Sequence, residues 1–261
     1  MKRRLQPLVV CYHAISDTWR DPLAVSPDNF ERQLSGVLAR GYRPAGAAEA
    51  AAASGRLVHI TFDDAFKSVA NALPVLERHR MPATVFACPG FADGGTFAVP
   101  ELAAQLPENS EHLATMGWPE LRELVDRGVE VGSHTLTHPH LTTLDDHELR
   151  RELRESRERL EDELSVPCRF LAYPYGDEDE RVRAAARSSG YAGAFSLPGN
   201  QSGADLYAIP RVGIWRTDGA LRVTLKTSAA GRRLLLDPLT SARERWPGLA
   251  RGRRHLAERG T

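Results

Sequence analysis

Three short stretches carry side chains that can do chemistry together: Asp63-Asp64, His134-x-x-x-His138, and Tyr173-Pro174-Tyr175-Gly176. Two adjacent carboxylates that end a buried strand repel one another, because each negative charge disfavours ionisation of the other. A divalent cation relieves that repulsion by taking one carboxylate as a ligand and leaving the other as a base. On its own, such a pair also suits a helix N-terminus, where Asp is a favoured cap. The histidines decide between these readings. Two imidazoles four residues apart reach one metal, and with one carboxylate they make three protein ligands with an open position, the pattern of a catalytic site. Gly132 before and Pro139 after them indicate a turn rather than a regular helix. Pro and Gly around Tyr175 fix a sharp bend that can aim its backbone N–H at a developing oxyanion.

The elements that position these groups follow from periodicity. Strand-like runs occur at 8–12, 58–62, 83–88, 129–133, 169–173, 192–197 and 209–215. Helical patterns separate most of them. Ser26-Pro27 opens one helix, with Phe30, Leu34 and Leu38 as its apolar stripe. Thr143 and Asp146 are expected to cap a second, whose stripe is Leu149, Leu153, Leu160 and Leu164. Strands joined by helices imply a parallel sheet with right-handed crossovers. The reactive residues fall at or just past strand C-terminal ends, which converge on one face of a closed barrel but spread out in an open sheet. The expected fold is therefore α/β, a distorted seven-stranded (β/α) barrel in a single domain. Residues 1–219 form that barrel, and 220–261 form a basic, helical C-terminal extension. The Gly- and Pro-containing stretch 91–107 is expected to loop over the site.

At this point the chain resembles the polysaccharide deacetylases, carbohydrate esterase family 4, also called the NodB-homology family. The residues that carry the resemblance are ITFDDA at 60–65, EVGSHTLTHPHL at 130–141 and YPYGD at 173–177, within a similarity running roughly from Leu8 to Val212. The resemblance implies a metal, zinc in the first place with cobalt, nickel or manganese as alternatives, held by Asp64, His134 and His138. It implies Asp63 as general base and the Tyr175 N–H as part of an oxyanion hole. The implied reaction is hydrolysis of an N-acetyl group on a sugar, giving a free amine and acetate. A deformylase or amidase acting on another sugar or small amide, and an inactive carbohydrate-binding relative, are the competing readings.

Two departures from the family pattern require substitutes. Where many members carry an Arg that orients the base, this chain has Ala172, and Arg211 on the last strand is the candidate replacement. No Leu-x-His motif supplies an acid late in the chain, so His13, which ends the first strand, is the candidate proton donor. Trp118 and Tyr173 are the aromatic candidates for contact with the sugar.

Bulk properties narrow the partners. Lys plus Arg and Asp plus Glu are 34 each, so the formal net charge is zero, and a nucleic-acid partner is not expected. From Ala220 to Thr261 ten basic residues face three acidic ones, a patch suited to peripheral contact with an anionic surface or a lipid-linked saccharide. Three widely spaced cysteines form no disulfide framework, and the N-terminal apolar run is shorter than the roughly seven residues a signal peptide needs. No stretch reaches the roughly 18 apolar residues of a membrane span. A cytoplasmic protein is the expectation from these features.

Overall fold

The computed structural model describes residues 6–197 and 205–235. The main sheet runs β1 (Leu8–Tyr12), β2 (Leu57–Phe62), β3 (Ala83–Ala87), β4 (Glu130–Ser133), β5 (Phe170–Ala172) and β6 (Gly193–Ser196), each parallel to its neighbour. The seventh strand, β7, is split at Arg211. Its first half, Ile209–Pro210, pairs with β6, and its second half, Val212–Gly213, pairs with β1. One short segment thus joins the two ends of the sheet. This is the distorted seven-stranded barrel expected from the strand pattern. Two small pieces lie beside the ring: Ala14–Ile15 pairs with Ala24–Val25, and Arg43–Pro44 pairs with the start of β2.

The helices are α1 (Pro27–Ala39), α2 (Ala47–Ala52), α3 (Leu73–Arg78), α4 (Pro100–Ala103), α5 (Trp118–Asp126), α6 (Asp146–Leu164), α7 (Glu180–Ser188), α8 (Ala220–Thr227) and α9 (Ala229–Leu235), of which the short α4 packs with the loops above the barrel. Ser26 caps α1 by accepting from the Asn29 amide, with Pro27 in the first turn. The cap of α6 differs from the sequence expectation. Asp145 accepts from the amides of His147 and Glu148, and Glu148 reaches back to the Asp145 amide. Thr143 instead donates to the His140 carbonyl. A carboxylate one residue before the helix reaches two amides, whereas the hydroxyl at 143 sits in the preceding 3₁₀ turn. The extension that starts at Ala220 begins with α8 and α9; its remainder lies outside the described residues. Among the described residues no helix is long and apolar enough to cross a membrane.

Strand alternation sorts side chains into two layers. Leu8, Val10 and Tyr12, Val58, Ile60 and Phe62, and Leu171 and Tyr173 pack outward against the helices. The opposite parity turns Val9, Phe86, Phe170, Ala172, Phe195 and Ile209 into the barrel. Thr61, Asp63, His134 and Arg211 share that inward parity at the C-terminal ends. Gly132 is required in β4, since a Cβ there would lie 2.5 Å from the Phe86 ring and 2.9 Å from the Phe170 carbonyl oxygen.

His59 also faces inward, at the opposite end from the reactive groups. Its Nδ1 meets the Ala45 carbonyl at 2.9 Å and its Nε2 lies 3.0 Å from Thr84 Oγ1. Burial pushes the imidazole from its ordinary 6.5 down to about 4, with the Ala45 bond opposing and Arg211 assisting. Above the ordinary value folded and unfolded chains both carry it neutral. As pH falls towards the folded value, only the unfolded chain gains the proton. Stability is therefore lost in that window, by about 3 kcal/mol for this one group. His59→Gln should flatten the loss between pH 6.5 and 4, measured by urea unfolding at fixed pH; an unchanged slope would exclude His59 as the source.

Candidate active site

The inward groups at the barrel's C-terminal rim form one buried cluster. Arg211 grips Asp63 with two parallel bonds, Nη1 to Oδ1 at 2.6 Å and Nη2 to Oδ2 at 2.8 Å. Nη1 also donates to Thr61 Oγ1 at 3.2 Å. Burial would raise the Asp63 carboxyl, but Arg211 together with His134 outweighs it and holds the group well below the usual carboxylate range. Asp63 is thus ionised, with its carboxylate plane fixed by a planar fork.

Asp64 is in the opposite condition. It is fully buried, and neither carboxylate oxygen has a hydrogen-bond donor among the described residues. Burial first, and then the Asp63 charge, push its carboxyl well above the ordinary range. Its Oδ1 lies 3.5 Å from His134 Nε2 and 3.5 Å from His138 Nε2. Ligands bound tetrahedrally at about 2.0–2.1 Å sit about 3.3 Å apart, so the spacing fits a cation between these three atoms. The chemistry fits as well. A buried carboxylate that lacks a donor is costly unless paired with positive charge, and burial keeps both imidazoles neutral, as ligands must be.

The surroundings aim the imidazoles. His134 Nδ1 bonds the Ala172 carbonyl at 2.8 Å, and His138 Nδ1 meets the Tyr175 hydroxyl at 3.2 Å, so both rings turn Nε2 towards Asp64. The Tyr175 hydroxyl in turn donates to Glu101 Oε2 at 2.7 Å. Phe97 packs edge-on against His138 with centroids 5.1 Å apart. The loop between the histidines is shaped by Glu152 of α6, whose Oε2 accepts from the amides of Leu136 and Thr137 at 2.9 Å. Such outer partners fix tautomer and orientation. The stretch 91–107 does cover the site, through Phe97 and Glu101.

Backbone strain gathers here. Of the seven non-glycine residues with positive φ among those described, five are Asp64, Ala65, Thr135, His138 and Tyr175. Each costs free energy that a regular turn would avoid, and such residues concentrate at functional sites. At Tyr175, φ of 60° sits within the 3₁₀ turn Pro174–Gly176. That turn is closed by the Gly176 and Asp177 amides donating to the carbonyls of Tyr173 and Pro174.

His13 stands beside Asp63. Ligand atoms of Cys11, His13 and Asp63 lie within 4.8 Å of one another. This trio does not make a second metal site. Asp63 already gives both oxygens to Arg211, and burial raises the Cys11 thiol well above its ordinary value, so it keeps its proton and faces Asp63 Oδ2 at 3.3 Å. Burial, partly opposed by Asp63 and reinforced by Arg211, lowers the His13 imidazole to about 4.

Two aromatic candidates do not line the site. Tyr173 has the outward parity of Leu171; its ring is in the outer core and its hydroxyl donates to the Tyr207 carbonyl at 2.9 Å. Trp118 starts α5 and packs in the same outer layer, with its indole N–H on Asp93 and the Arg159 guanidinium over its face. The rings that gather above the barrel are Trp19, Phe66, Phe97, Tyr175 and Trp215. Trp215 stacks on His13 with centroids 5.2 Å apart. The expected loop over 91–107 contains Phe97 and Glu101 and the expected last strand ends at Trp215, but nothing in the sequence pattern singled out these side chains, or Trp19, as neighbours of the site.

This barrel, with an Asp and two His at its rim, has known counterparts. A model of the family described as polysaccharide deacetylase matches residues 50–194, more than half of the chain. The chain belongs to the polysaccharide deacetylase family. It is 25% identical over 214 residues to the protein YxkH of Bacillus subtilis, spanning 78% of this chain and 70% of that one. It is 29% identical over 140 residues to the chitooligosaccharide deacetylase of Sinorhizobium fredii, 52% of this chain and 54% of that protein. Among solved structures, BC0361, a polysaccharide deacetylase from Bacillus cereus, superimposes with a TM-score of 0.69 at 25% identity, covering 86% of this chain and 70% of that one. The matched segment contains Asp63, Asp64, His134, His138 and Tyr175. His13, Arg211 and Trp215 lie outside it.

Removing any one of Asp64, His134 and His138 should abolish bound metal, because three ligands leave no redundancy. Asp63→Asn should keep metal at the level of the unaltered protein. Elemental analysis of each purified Ala or Asn variant checks this, and equal metal loss in Asp63→Asn would reverse the roles of the two carboxylates.

Proposed function

We propose that this chain is a divalent-metal-dependent deacetylase that hydrolyses the acetamide of an N-acetylated saccharide to a free amine and acetate. The observation that carries this reading is the contrast between neighbours. Asp64 faces two imidazole nitrogens at 3.5 Å with no hydrogen-bond donor among the described residues, while Asp63 is held ionised by Arg211. A ligand and a base stand side by side. Asp64, His134 and His138 would hold the metal, and this mixed nitrogen and oxygen set suits zinc, with cobalt, nickel and manganese as alternatives. When bound, the cation supplies Lewis-acid polarisation of the acetyl carbonyl and acidifies the attacking water.

The chain's own groups supply the remaining steps. Asp63 removes the proton of the attacking water, and Arg211 keeps Asp63 ionised and correctly turned for that task. The Tyr175 backbone N–H opposes the oxyanion, a contribution of about 3–4 kcal/mol for one such donor. The departing amine must gain a proton. His13 rests neutral at neutral pH, so it acts by receiving the proton that Asp63 took from water and passing it to the amine nitrogen. The rings of Phe97, Tyr175 and Trp215 are buried and wall the site, Phe97 and Tyr175 against His138 and Trp215 against His13.

Acetate release from a panel of N-acetylated oligosaccharides, chitin fragments and lipid-linked saccharides tests the reading. A chelator should abolish release and zinc should restore it; a fully metal-loaded protein inactive on the whole panel would overturn the proposal. Arg211→Ala should lower kcat about 100-fold or more with metal retained, and Arg211→Lys should recover only part, since one ammonium cannot replace two parallel bonds. His13→Ala should lose amide hydrolysis yet retain hydrolysis of an activated ester, whose phenolate leaves without a proton. Equal loss on both substrates would remove His13 from proton transfer.

A further inference from the structure

Trp215 lies against His13, yet its indole Nε1 is buried with no acceptor among the described residues. The ring is therefore not oriented by a hydrogen bond of its own. What holds it is its backbone and what lies behind it. The Trp215 amide donates to Asp218 Oδ2 at 3.0 Å, and the Asp218 amide donates back to the Trp215 carbonyl at 2.9 Å, closing a tight turn over 215–218. The same Asp218 oxygen accepts from Lys226 Nζ at 2.9 Å. Lys226 is on α8, is 2% exposed, and donates a second bond at 3.2 Å to the Gly213 carbonyl of β7. Arg222, one turn earlier on α8, pairs with Asp218 Oδ1 at 2.8 Å.

Two further details tie this turn to His13. Arg216, inside the turn, sends its amide to the Pro22 carbonyl at 2.8 Å and its guanidinium to the Trp19 carbonyl at 3.0 Å, both on the loop that follows His13. Gly213 has no side chain where a Cβ would come within 3.0 Å of the Trp215 ring, so the indole lies back on β7. A buried ion pair is seldom a net gain over an apolar pair of the same volume, because both charges must be stripped of water. This one is placed where its geometry sets an aromatic ring against a reactive imidazole.

We propose that the Lys226–Asp218 pair is a positioning device for His13, acting through Trp215, so that α8 is part of the working site rather than an appendage. The inference rests on the reading of His13 as the proton carrier. Lys226 and Asp218 touch no reacting atom; they fix the wall against which the imidazole stands.

The test compares Lys226→Met, which keeps length without charge, with Lys226→Arg, which keeps charge. The first readout is independent of activity: the imidazole proton resonances of His13, identified by their loss in His13→Ala, which the stacked indole shifts. Lys226→Met should move them and Lys226→Arg should restore them. The second readout is kinetic. Lys226→Met should lower kcat about 10-fold or more with KM little changed and metal content full, as expected for a misplaced group. In a His13→Ala background the same substitution should add little further loss, because the two act through one contact.

Unmoved His13 resonances and unchanged kcat, with only a lower melting temperature, would overturn the proposal and leave the pair a structural tie. Shifted resonances with unchanged kcat, in a protein whose His13→Ala variant is also fully active, would uphold the positioning link and overturn the role of His13 instead. Should Lys226→Met fail to fold, Trp215→Leu removes the stack without touching the ion pair. Full activity and unshifted His13 resonances in that variant would also overturn the proposal.

Discussion

Two carboxylates on consecutive residues, both buried, set the terms for everything around them. Neither can be left alone in a medium that solvates charge poorly. The fold answers each differently. Asp63, on the inward parity of β2, meets a guanidinium from the last strand and stays ionised. Asp64, one residue on, leaves the strand through a positive φ and turns towards two imidazoles. The strained turn separates the two carboxylates into different environments, and that separation lets one serve as a ligand while its neighbour serves as a base. Barrel geometry is needed because the partners come from β4, the loop after it and β7, which only a closed sheet brings to one rim.

Around this pair the structure is layered by function. Arg211, Thr61 and Cys11 surround Asp63. The Ala172 carbonyl, Tyr175 with Glu101 behind it, and Glu152 orient the two histidines and their loop. Glu101 and Glu152 act from helices that supply no rim group, and Ala172 lends only its carbonyl. The energetic cost of the strained backbone is met by this outer shell, whose bonds leave the positive-φ residues no cheaper arrangement.

The barrel was legible from sequence because each strand is a short apolar run and because helical stripes such as Leu149, Leu153, Leu160 and Leu164 have a different period. The Asp-Asp and His-x-x-x-His spacings were legible because residue type alone limits what they can do. Side-chain direction was less so. Tyr173 sits on a strand end, but its parity with Leu171 turns it outward, and strand position without parity misplaced it. Trp118 carries no sign of which layer it enters until α5 is placed. The cap of α6 shifted by two residues because Asp145 and Thr143 both offer an oxygen, and only the observed turn chooses between them. Glu101 with Tyr175 and Trp215 with His13 meet across long stretches of chain, for which local periodicity holds no information, and Asp218 and Lys226, though near in sequence, are brought together only by the turn at 215–218.

The split strand β7 has a consequence for the order of assembly. Arg211 and Asp63 are 148 positions apart, and the guanidinium arrives on the segment that joins β6 to β1. Contacts of such long range form late, since the chain must close a large loop before they repay its entropy. Until that segment docks, the rim holds two acidic side chains with no counter-charge, and water must remain among them. Ring closure and neutralisation of the base are therefore one event, and a chain released before Arg211 would possess every ligand of the rim yet lack the guanidinium that balances the charge of Asp63.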